Sequence, residues 1–195
     1  MVDAMHQTPR KPDVRVVQIL GGVGNPAAEI HAARLTSRFA RLVNGTATFL
    51  PGPGVVGSER SLHVLLEDQY VKEALDLFTD VTSALVGIGA VEPSKLLVDS
   101  GNIFSLEQLY ALSRDGAVGD IVLRFFDANG QHVQNNVDNR VISMTLRQLQ
   151  QVNRSVGVAG GRRKFKAILG ALRGGFINVL ITDCFTARRL VVSKH

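Results

Sequence analysis

Short apolar runs alternate with stretches of helical periodicity along most of this chain, and this alternation restricts its fold more than any other feature. Six runs have the length and composition of strands: VRVVQIL (14–20), TATFL (46–50), SALVGIG (83–89), IVLRFF (121–126), SVGVA (155–159) and NVLIT (178–182). SALVGIG is apolar almost throughout, which is typical of a strand buried on both faces in a parallel sheet.

Helical patterns lie between most of these runs. The clearest are at 27–43, at 59–78 with Ser58 as a cap, from Ser105 to about Arg114, at 162–173, and from Asp183 onward. The segment from QHVQNNV to RVISM predicts an antiparallel excursion. Strands that alternate with helices predict an α/β fold, with a doubly wound, mostly parallel sheet and helices on both faces.

The length of 195 residues is that of a single domain, and with 45% hydrophobic residues the chain can bury a substantial core. Residues 1–13 are polar and contain two prolines. They predict a flexible tail, followed by one domain at 14–195.

No stretch approaches the ~18 consecutive apolar residues that a membrane span needs, and the start of the chain lacks the apolar centre of a signal peptide. We therefore expect a cytoplasmic protein without a membrane partner. The one cysteine, Cys184, has no partner for an intrachain disulfide, and we expect it in or near the core. Cysteine and histidine do not cluster with metal-site spacing, so neither a metal nor another cofactor is expected.

The net charge of +5 suits an anionic partner. Most basic residues are scattered, and the one dense run, at 162–166, contains a single aromatic residue, Phe165, rather than a series of them. A platform for nucleic acid normally has many clustered basic residues with several aromatic residues between them. The pattern in this chain therefore favours a small anion over DNA.

Several predicted strand ends carry glycine, which lets backbone amides approach a ligand closely. In a doubly wound sheet, ligands bind beyond the carboxyl ends of the strands, where the chain turns into the next helix. The candidate loop residues are Gly21, Gly22 and Gly24 after the first strand, Gly87 and Gly89 after the third, and Gly160 and Gly161 after SVGVA.

The stretch VGVAGGRRKFKAIL (156–169) carries the strongest of these signals. Gly160 and Gly161 give the backbone of the turn more conformational freedom than other residues would. The helix that begins near Arg162 presents unpaired amide groups, and Lys164 adds a full positive charge. This pattern predicts a binding site for phosphate or a sugar phosphate. The alternative is that the glycines are needed only for the turn and that the basic residues are solvent-exposed without a ligand. The chain has neither a Walker loop nor a complete GxGxxG, so nucleotides are disfavoured.

Three further side chains are candidates for sugar contacts. Asp120 lies in a glycine-flanked position and could accept hydroxyl hydrogen bonds or be structural. Asp127 begins the turn DANG and is better explained as a turn former that bonds its own backbone. His31 lies in the first turns of the helix after GGVGN, where it could contact a ligand or be a partly buried histidine.

The ordered segments QILGGVGNPAAEIHAARL, LPGPGVV, ALVGIG, GAVGDIVLRFFDANG, RVISMTLRQL and GVAGGRRKFKAILGALRGGFINVLITD resemble the effector-binding domain of sugar-binding transcriptional regulators of the SorC and DeoR type. The resemblance covers nearly the whole chain from about residue 14. It implies a Rossmann-like fold related to ribose-5-phosphate isomerase, glucosamine-6-phosphate deaminase and the CoA-transferases.

The resemblance also implies a function. Such domains bind a phosphorylated sugar, and binding changes oligomerisation and the DNA affinity of an N-terminal helix-turn-helix domain. By similarity, the ligand positions fall on His31, Asp120 and Lys164, and the Gly21–Gly24 and Gly87–Gly89 loops line the same cleft. Asp120 would take sugar hydroxyls, and Lys164 would lie near the phosphate or another polar end of the ligand.

These considerations predict a non-enzymatic sensor that assembles as a homodimer or homotetramer, with no catalytic residues. We expect neither the helix-turn-helix nor the strand that precedes VRVVQIL in relatives to lie in this chain, so DNA would be bound only through another domain. Two alternatives stay open: an isomerase-like enzyme that recruits Asp120, His31 and Lys164, and a dimerisation scaffold that has lost its ligand.

Overall fold

A computed structural model describes residues 2–8, 13–22, 26–91 and 105–193, without the side chains of 26–31. The chain divides into two compact units. The first consists of Met1–Asp80 with Asn139–Ser143, and the second of Val81–Asp138 with Met144–His195.

The first unit contains a parallel pair of short strands joined by a long helix. Strand β1 pairs with β2 in the register Arg15↔Thr46, as expected for a strand–helix–strand crossover. Ser58 caps the next helix, as predicted, because its side chain accepts a hydrogen bond from the Ser61 amide. In order, the elements are β1 (Arg15–Val17), α1 (Pro26–Leu42), β2 (Thr46–Thr48), α2 (Glu59–Glu67), α3 (Gln69–Asp76) and a 3₁₀ turn (Leu77–Asp80).

Part of the predicted tail lies against the end of α1. The amide of Thr8 donates to the Leu42 carbonyl at 2.8 Å, and the side chain of Gln7 donates to Asn44 at 2.9 Å. The division into a tail at 1–13 and a domain at 14–195 stays a prediction.

The second unit contains a three-stranded parallel sheet in the order β3-β7-β8 and an antiparallel sheet in the order β4-β5-β6. Its strands are β3 (Ser83–Gly87), β4 (Gly89–Ala90), β5 (Ala117–Ile121), β6 (Arg124–Asp127), β7 (Arg154–Val158) and β8 (Val179–Ile181). Its helices are α4 (Leu106–Arg114), α5 (Leu146–Gln151), α6 (Phe165–Arg173) and α7 (Cys184–Val192). Short 3₁₀ turns at Asp138–Arg140 and Arg162–Lys164, and one at Val2–Ala4 in the first unit, complete the described elements. The predicted α/β class with parallel strands and helices is confirmed.

The antiparallel sheet corrects two of the predicted strands. The run at 83–89 divides between β3 and β4, which belong to different sheets. The predicted single strand at 121–126 is instead the centre of a hairpin: Ile121 ends β5, Val122 and Leu123 form the turn with positive φ angles of 49° and 64°, and β6 begins at Arg124. Such two-residue turns are normally marked by asparagine or glycine, and a Val–Leu pair carries no such signal.

The predicted antiparallel excursion consists of isolated bridges in the described residues. Phe126 bridges His132 in the second unit, and Val55 bridges Val141 in the first. These contacts are antiparallel, as expected, and they are too short to form a ladder.

Helix α6 is held close to the antiparallel sheet. A Cβ atom on Gly119 would lie 2.5 Å from the Cβ of Ala167, so a larger residue in either place would separate helix and sheet. Phe126 is fully buried and packs on Phe176 with ring centroids 5.3 Å apart. This packing fixes the first turn of α6 over strands β4 and β5.

Two whole-chain expectations can be compared with the described residues. None of the helices described is long and apolar enough to cross a membrane. Cys184 is exposed at the start of α7, so the prediction that it lies in or near the core was wrong. The helix keeps only Thr186 buried, which the apolar composition of the segment does not reveal.

Candidate functional site

Three of the predicted site residues meet where α6 begins above strands β4 and β5. Asp120 of β5 is the antiparallel partner of Gly89 in β4. The ammonium group of Lys164 donates to the carbonyl oxygen of Ile88 at 2.7 Å, although the two residues are 76 positions apart. We call Ile88, Gly89, Asp120 and Lys164 the β4–α6 cluster.

Asp120 has an unusual electrostatic environment. Burial raises the pKa of its carboxyl group from 3.8 to about 6, against the lowering effects of the Leu123 amide and the Lys164 charge. The Leu123 amide donates to Oδ2 of Asp120 at 3.3 Å. Asp120 and Lys164 interact through space and form no ion pair among the contacts of the described residues. The cluster therefore presents an anion and a cation side by side, with neither neutralised by direct contact.

Gly89 provides the space that the Asp120 carboxylate occupies. A Cβ atom built on Gly89 would overlap Oδ1 of Asp120 and lie 2.9 Å from its Cγ. Gly87, two residues earlier, has nothing within 4 Å of the corresponding position. The two glycines that the sequence grouped together therefore have different roles.

The turn at Gly160 and Gly161 is built around Asp183. Gly161 has a φ of 91°, which favours glycine, and a Cβ on Gly160 would lie 2.5 Å from the Asp183 carboxylate. The Gly161 amide donates to Asp183 Oδ2 at 2.8 Å and to Thr186 Oγ1 at 3.0 Å. This differs from the prediction, which had the amides of this turn facing a ligand. The acceptor comes from a residue 22 positions later in the chain.

Asp183 stays ionised down to low pH. The side-chain and backbone hydrogen bonds from Thr186, followed by the Gly161 amide, lower its pKa from 3.8 to about 2. Asp183 and Thr186 were not among the predicted site residues. Their signal in the sequence was an N-cap pattern, since Asp183 precedes α7 and accepts from the Thr186 amide.

Two predicted loop residues lie in the first unit. A Cβ on Gly21 would come within 2.9 Å of the Pro53 and Gly54 backbone, and Gly22 forms a parallel bridge with Pro53. These glycines allow two loops to approach closely. Their contact with a ligand stays a prediction.

The remaining candidates have different outcomes. Gly24 and the side chain of His31 lie outside the described residues, although His31 itself is in α1 as predicted. Asp127 is a turn former, as predicted, because its Oδ1 accepts from the amides of Asn129 and Gln131. No group of three or more potential metal ligands lies together in the described ranges.

The comparisons with known proteins assign the family. The sequence profile of Sugar-bind, a sugar-binding domain, matches residues 1–192. The chain belongs to the Sugar-bind family. Among its relatives, the deoxyribonucleoside regulator of Bacillus subtilis is 35% identical over 178 residues, which is 91% of this chain and 56% of that protein.

Solved structures of Sugar-bind regulators share the fold. The full-length sorbitol operon regulator SorC from Klebsiella pneumoniae superposes with a TM-score of 0.86 at 28% identity, over 97% of this chain and 62% of that one. The sugar-binding domain of DeoR from Pseudomonas syringae pv. tomato has a TM-score of 0.71 at 41% identity, over 97% of this chain and 69% of that one. The predicted resemblance to SorC and DeoR regulators is confirmed.

The relatives are named as transcriptional regulators, and this chain corresponds to their sugar-binding part. It spans little more than half the length of the deoxyribonucleoside regulator.

Proposed function

We propose that this chain is the effector-sensing domain of a cytoplasmic transcriptional regulator and that it binds a phosphorylated sugar at the β4–α6 cluster. The observation that carries the proposal is the position of Lys164, whose ammonium group is held at the Ile88 carbonyl beside Asp120. The Lys164 cation and the Asp120 anion lie next to each other in the β4–α6 cluster. This arrangement suits a ligand that has both a phosphate and hydroxyl groups.

The two charged groups have complementary tasks in this proposal. An ammonium group has three N–H donors, and the described contacts of Lys164 use one of them. The others are available for phosphate oxygens. Ionised Asp120 accepts only, so sugar hydroxyls would donate to it. Gly89 makes room for the carboxylate, since a side chain there would overlap Oδ1.

Ligand binding would act on DNA through subunit arrangement. A ligand shifts an equilibrium between two arrangements only if it binds one of them more tightly. A difference of about 1–3 kcal/mol between the arrangements changes operator affinity by about 5–150-fold. DNA itself would be contacted by a separate helix-turn-helix domain, as in the resemblance to SorC and DeoR regulators.

A thermal-shift screen tests the proposal. Suitable probes are ribose 5-phosphate, deoxyribose 5-phosphate, fructose 6-phosphate and sorbitol 6-phosphate, with the unphosphorylated sugars alongside. A bound probe stabilises the folded chain by RT ln(1 + [L]/Kd), so one of the phosphorylated compounds should raise the melting temperature. Binding should weaken below pH 6, since protonation removes an acceptor from Asp120.

Lys164→Ala should abolish the shift while the unliganded melting temperature stays close to that of the wild type. The matched control is Lys166→Ala, which removes an exposed ammonium group two residues further along the chain. If Lys164→Ala keeps the full shift, the phosphate does not bind at the β4–α6 cluster. If no probe shifts the wild type, the scaffold alternative is favoured.

The isomerase alternative has one observation in its favour. A carboxyl group with a pKa near 6 is suited to act as a general base. The same phosphorylated probes, followed by proton NMR in D₂O, separate the two functions. A sensor binds without turnover, whereas an isomerase exchanges a carbon-bound proton for deuterium.

A further inference from the structure

A largely buried ion pair in the second unit lies outside the contacts that the proposed function uses. The guanidinium group of Arg124 donates to the side chain of Asp138 at 3.3 Å and to the backbone carbonyl of Asp138 at 3.1 Å. The two side chains are only 13% and 10% exposed. Removing one partner of such a pair leaves the other as a buried charge without its counter-ion, so the pair resists rearrangement. It therefore fixes the backbone at both residues.

Neighbouring residues hold Asp138 in place. The backbone amide of Asn135 donates to Asp138 Oδ2 at 2.9 Å, and its side-chain amide donates to the same oxygen at 3.1 Å. The Asn135 side chain also accepts from the Val137 amide at 2.8 Å. His132, which is 44% exposed, lies 3.3 Å from Oδ1 of the same carboxylate. We call Arg124, His132, Asn135 and Asp138 the Asp138 cluster.

The segment that carries most of this cluster lies along β6, the strand that begins at Arg124. The Val133 amide donates to the Phe125 carbonyl at 2.9 Å, and Phe125 is 2% exposed. The segment that supplies Asp138 is thus attached to the first residues of β6 through the main chain as well as through the ion pair.

Arg124 comes directly after the β5–β6 turn, which contacts Asp120. Val122 and Leu123 form this turn with φ angles of 49° and 64°, which branched side chains rarely adopt. The Leu123 amide donates to Asp120 Oδ2 at 3.3 Å. Unfavourable backbone angles persist only where the surrounding structure maintains them. The anchored side chain of Arg124, one position after Leu123, provides such support.

We propose that Asp138 is a positioning residue for Asp120 and that it acts through Arg124 and the β5–β6 turn. By holding Arg124, Asp138 keeps the Leu123 amide within hydrogen-bonding distance of the Asp120 carboxylate. This amide favours the ionised form of Asp120, which is the form that accepts from sugar hydroxyls. The consequence for ligand binding rests on the proposed function, whereas the effect of Asp138 on Asp120 does not.

Asp138→Asn separates positioning from a simple effect of charge, because the two have opposite signs. The variant loses a negative charge, and that loss alone would lower the pKa of Asp120. Positioning predicts the reverse, since a displaced Leu123 amide no longer favours the ionised carboxylate and the pKa of Asp120 rises. We expect Asp120 to bind its proton about threefold more tightly or more, as for the loss of a hydrogen bond to a charged group.

Carboxyl-carbon NMR of the 195-residue chain, labelled in aspartate, measures the pKa of Asp120. The Asp120 signal is identified by its absence from Asp120→Asn. The amide proton of Leu123 gives a second readout, because in the wild type its chemical shift should follow the titration of Asp120. In Asp138→Asn this change in chemical shift should be smaller.

The matched control is Asp3→Asn, which breaks an arginine–aspartate pair of the same kind in the first unit. Arg38 lies 3.2 Å from the side chain of Asp3 and donates to its backbone carbonyl at 3.1 Å. These side chains are 39% and 57% exposed, and neither residue adjoins the β5–β6 turn. Asp3→Asn should leave the pKa of Asp120 unchanged.

A second variant keeps the proposal testable if circular dichroism shows that Asp138→Asn is unfolded. Asn135→Ala preserves every charge and removes one donor to the Asp138 carboxylate, so the pKa of Asp120 should rise by a smaller amount. A lowered or unchanged pKa of Asp120 in folded Asp138→Asn would overturn the proposal. If that variant is unfolded, an unchanged pKa of Asp120 in Asn135→Ala would do the same.

Calorimetric titration with the sugar phosphate that stabilises the wild type tests the consequence for binding. A threefold tighter hold on the proton halves the ionised fraction of Asp120 at pH 6, so Asp138→Asn should bind about twofold more weakly there or worse. The loss should be smaller at pH 8, where both proteins are ionised at this site. Equal affinities at pH 6 would overturn the link to ligand binding.

The positioning role and the sensing function can fail separately. If Asp138→Asn raises the pKa of Asp120 and no sugar phosphate binds the wild type, the positioning role stands and the proposed function fails. If a sugar phosphate binds the wild type and Asp138→Asn lowers the pKa of Asp120, the proposed function stands and the positioning role fails.

Discussion

Asp120 is the residue whose position is hardest to explain by folding alone. Its carboxyl group has a pKa of about 6 in the folded chain, against 3.8 for an ordinary aspartate, because it is buried. The native state therefore holds a proton more tightly than the unfolded state, and stability falls as pH rises from about 4 to about 6. A buried carboxylate that weakens the fold at neutral pH is typical of a binding site.

Replacing Asp120 by asparagine should remove this pH dependence. A shift from 3.8 to about 6 corresponds to about 3 kcal/mol, which the ionised carboxylate costs the folded state above pH 6. Asp120→Asn should thus gain up to this amount relative to the wild type between pH 4 and pH 7.5. Urea unfolding at both pH values measures the difference.

The control for Asp120→Asn is Asp80→Asn, which removes a carboxylate from an exposed position of the first unit. Like Asp120→Asn, this variant loses one negative charge from a chain of net charge +5, so it measures the effect of that loss alone. A stability difference between Asp120→Asn and the wild type that is the same at pH 4 and pH 7.5 would contradict the burial argument.

Gly89 and Gly87 form a natural pair for substitution. A methyl group on Gly89 would overlap the Asp120 carboxylate, whereas one on Gly87 would meet nothing within 4 Å. Gly89→Ala should therefore lower the free energy of unfolding by about 1–3 kcal/mol, as in other overpacked sites, and weaken sugar-phosphate binding. Gly87→Ala should leave stability nearly unchanged. Equal urea midpoints for the two variants would show that Asp120 moves aside freely.

At the scale of elements, α7 is attached to the turn before α6 by Thr186. The buried Thr186 hydroxyl donates to Asp183 at 2.7 Å and accepts from the Gly161 amide. Asp183 carries a lowered pKa of about 2, so its contribution to stability is present above pH 3.8 and is lost as pH falls to about 2. The hydroxyl of Thr186 is the largest cause of that lowered pKa.

Thr186→Val keeps the side-chain volume and removes this hydroxyl. The variant should unfold at lower urea concentration than the wild type at neutral pH, and the difference should shrink as pH falls toward 2. Thr79→Val is the control, since the exposed Thr79 hydroxyl donates to the backbone carbonyl of Asp76 rather than to a carboxylate. A difference that does not depend on pH would assign the effect to packing rather than to Asp183.

The β5–β6 hairpin illustrates a conflict between local preference and the tertiary fold. Positive φ angles at Val122 and Leu123 are unfavourable for branched side chains, yet they occur directly after β5, two residues beyond Asp120, the partner of Gly89. The Leu123 amide also bonds the Asp120 carboxylate. Strained backbone of this kind occurs at functional sites, where the surrounding structure maintains it.

At the scale of the whole molecule, hydrogen exchange tests several of the predicted ligand positions in one experiment. A bound sugar phosphate should slow amide exchange at 88–90, at 119–123 and at 161–164, because the β4–α6 cluster lies in these segments. The sequence also predicts slower exchange at 20–22, which contains Gly21 and Gly22. Protection confined to the first unit would contradict the assignment to Asp120 and Lys164.

The sequence was sufficient to predict the α/β class, the family and the positions of most elements. Periodicity and caps located α1, α2, α4 and α7 to within a few residues, because these signals depend on neighbouring positions. Asp127 was correctly interpreted as a turn former for the same reason. The candidates Asp120, Lys164 and Gly89 were identified from glycine-flanked motifs and from the resemblance.

Contacts between residues distant in the chain could not be predicted from these patterns. The Lys164–Ile88 hydrogen bond spans 76 positions. Asp183 accepts the hydrogen bond from the Gly161 amide, which the local pattern had assigned to a ligand. The exposure of Cys184 and Phe185 likewise depends on how α7 packs. Local sequence specifies backbone preference and apolar spacing, whereas burial and pKa depend on which distant groups the fold brings within a few ångströms.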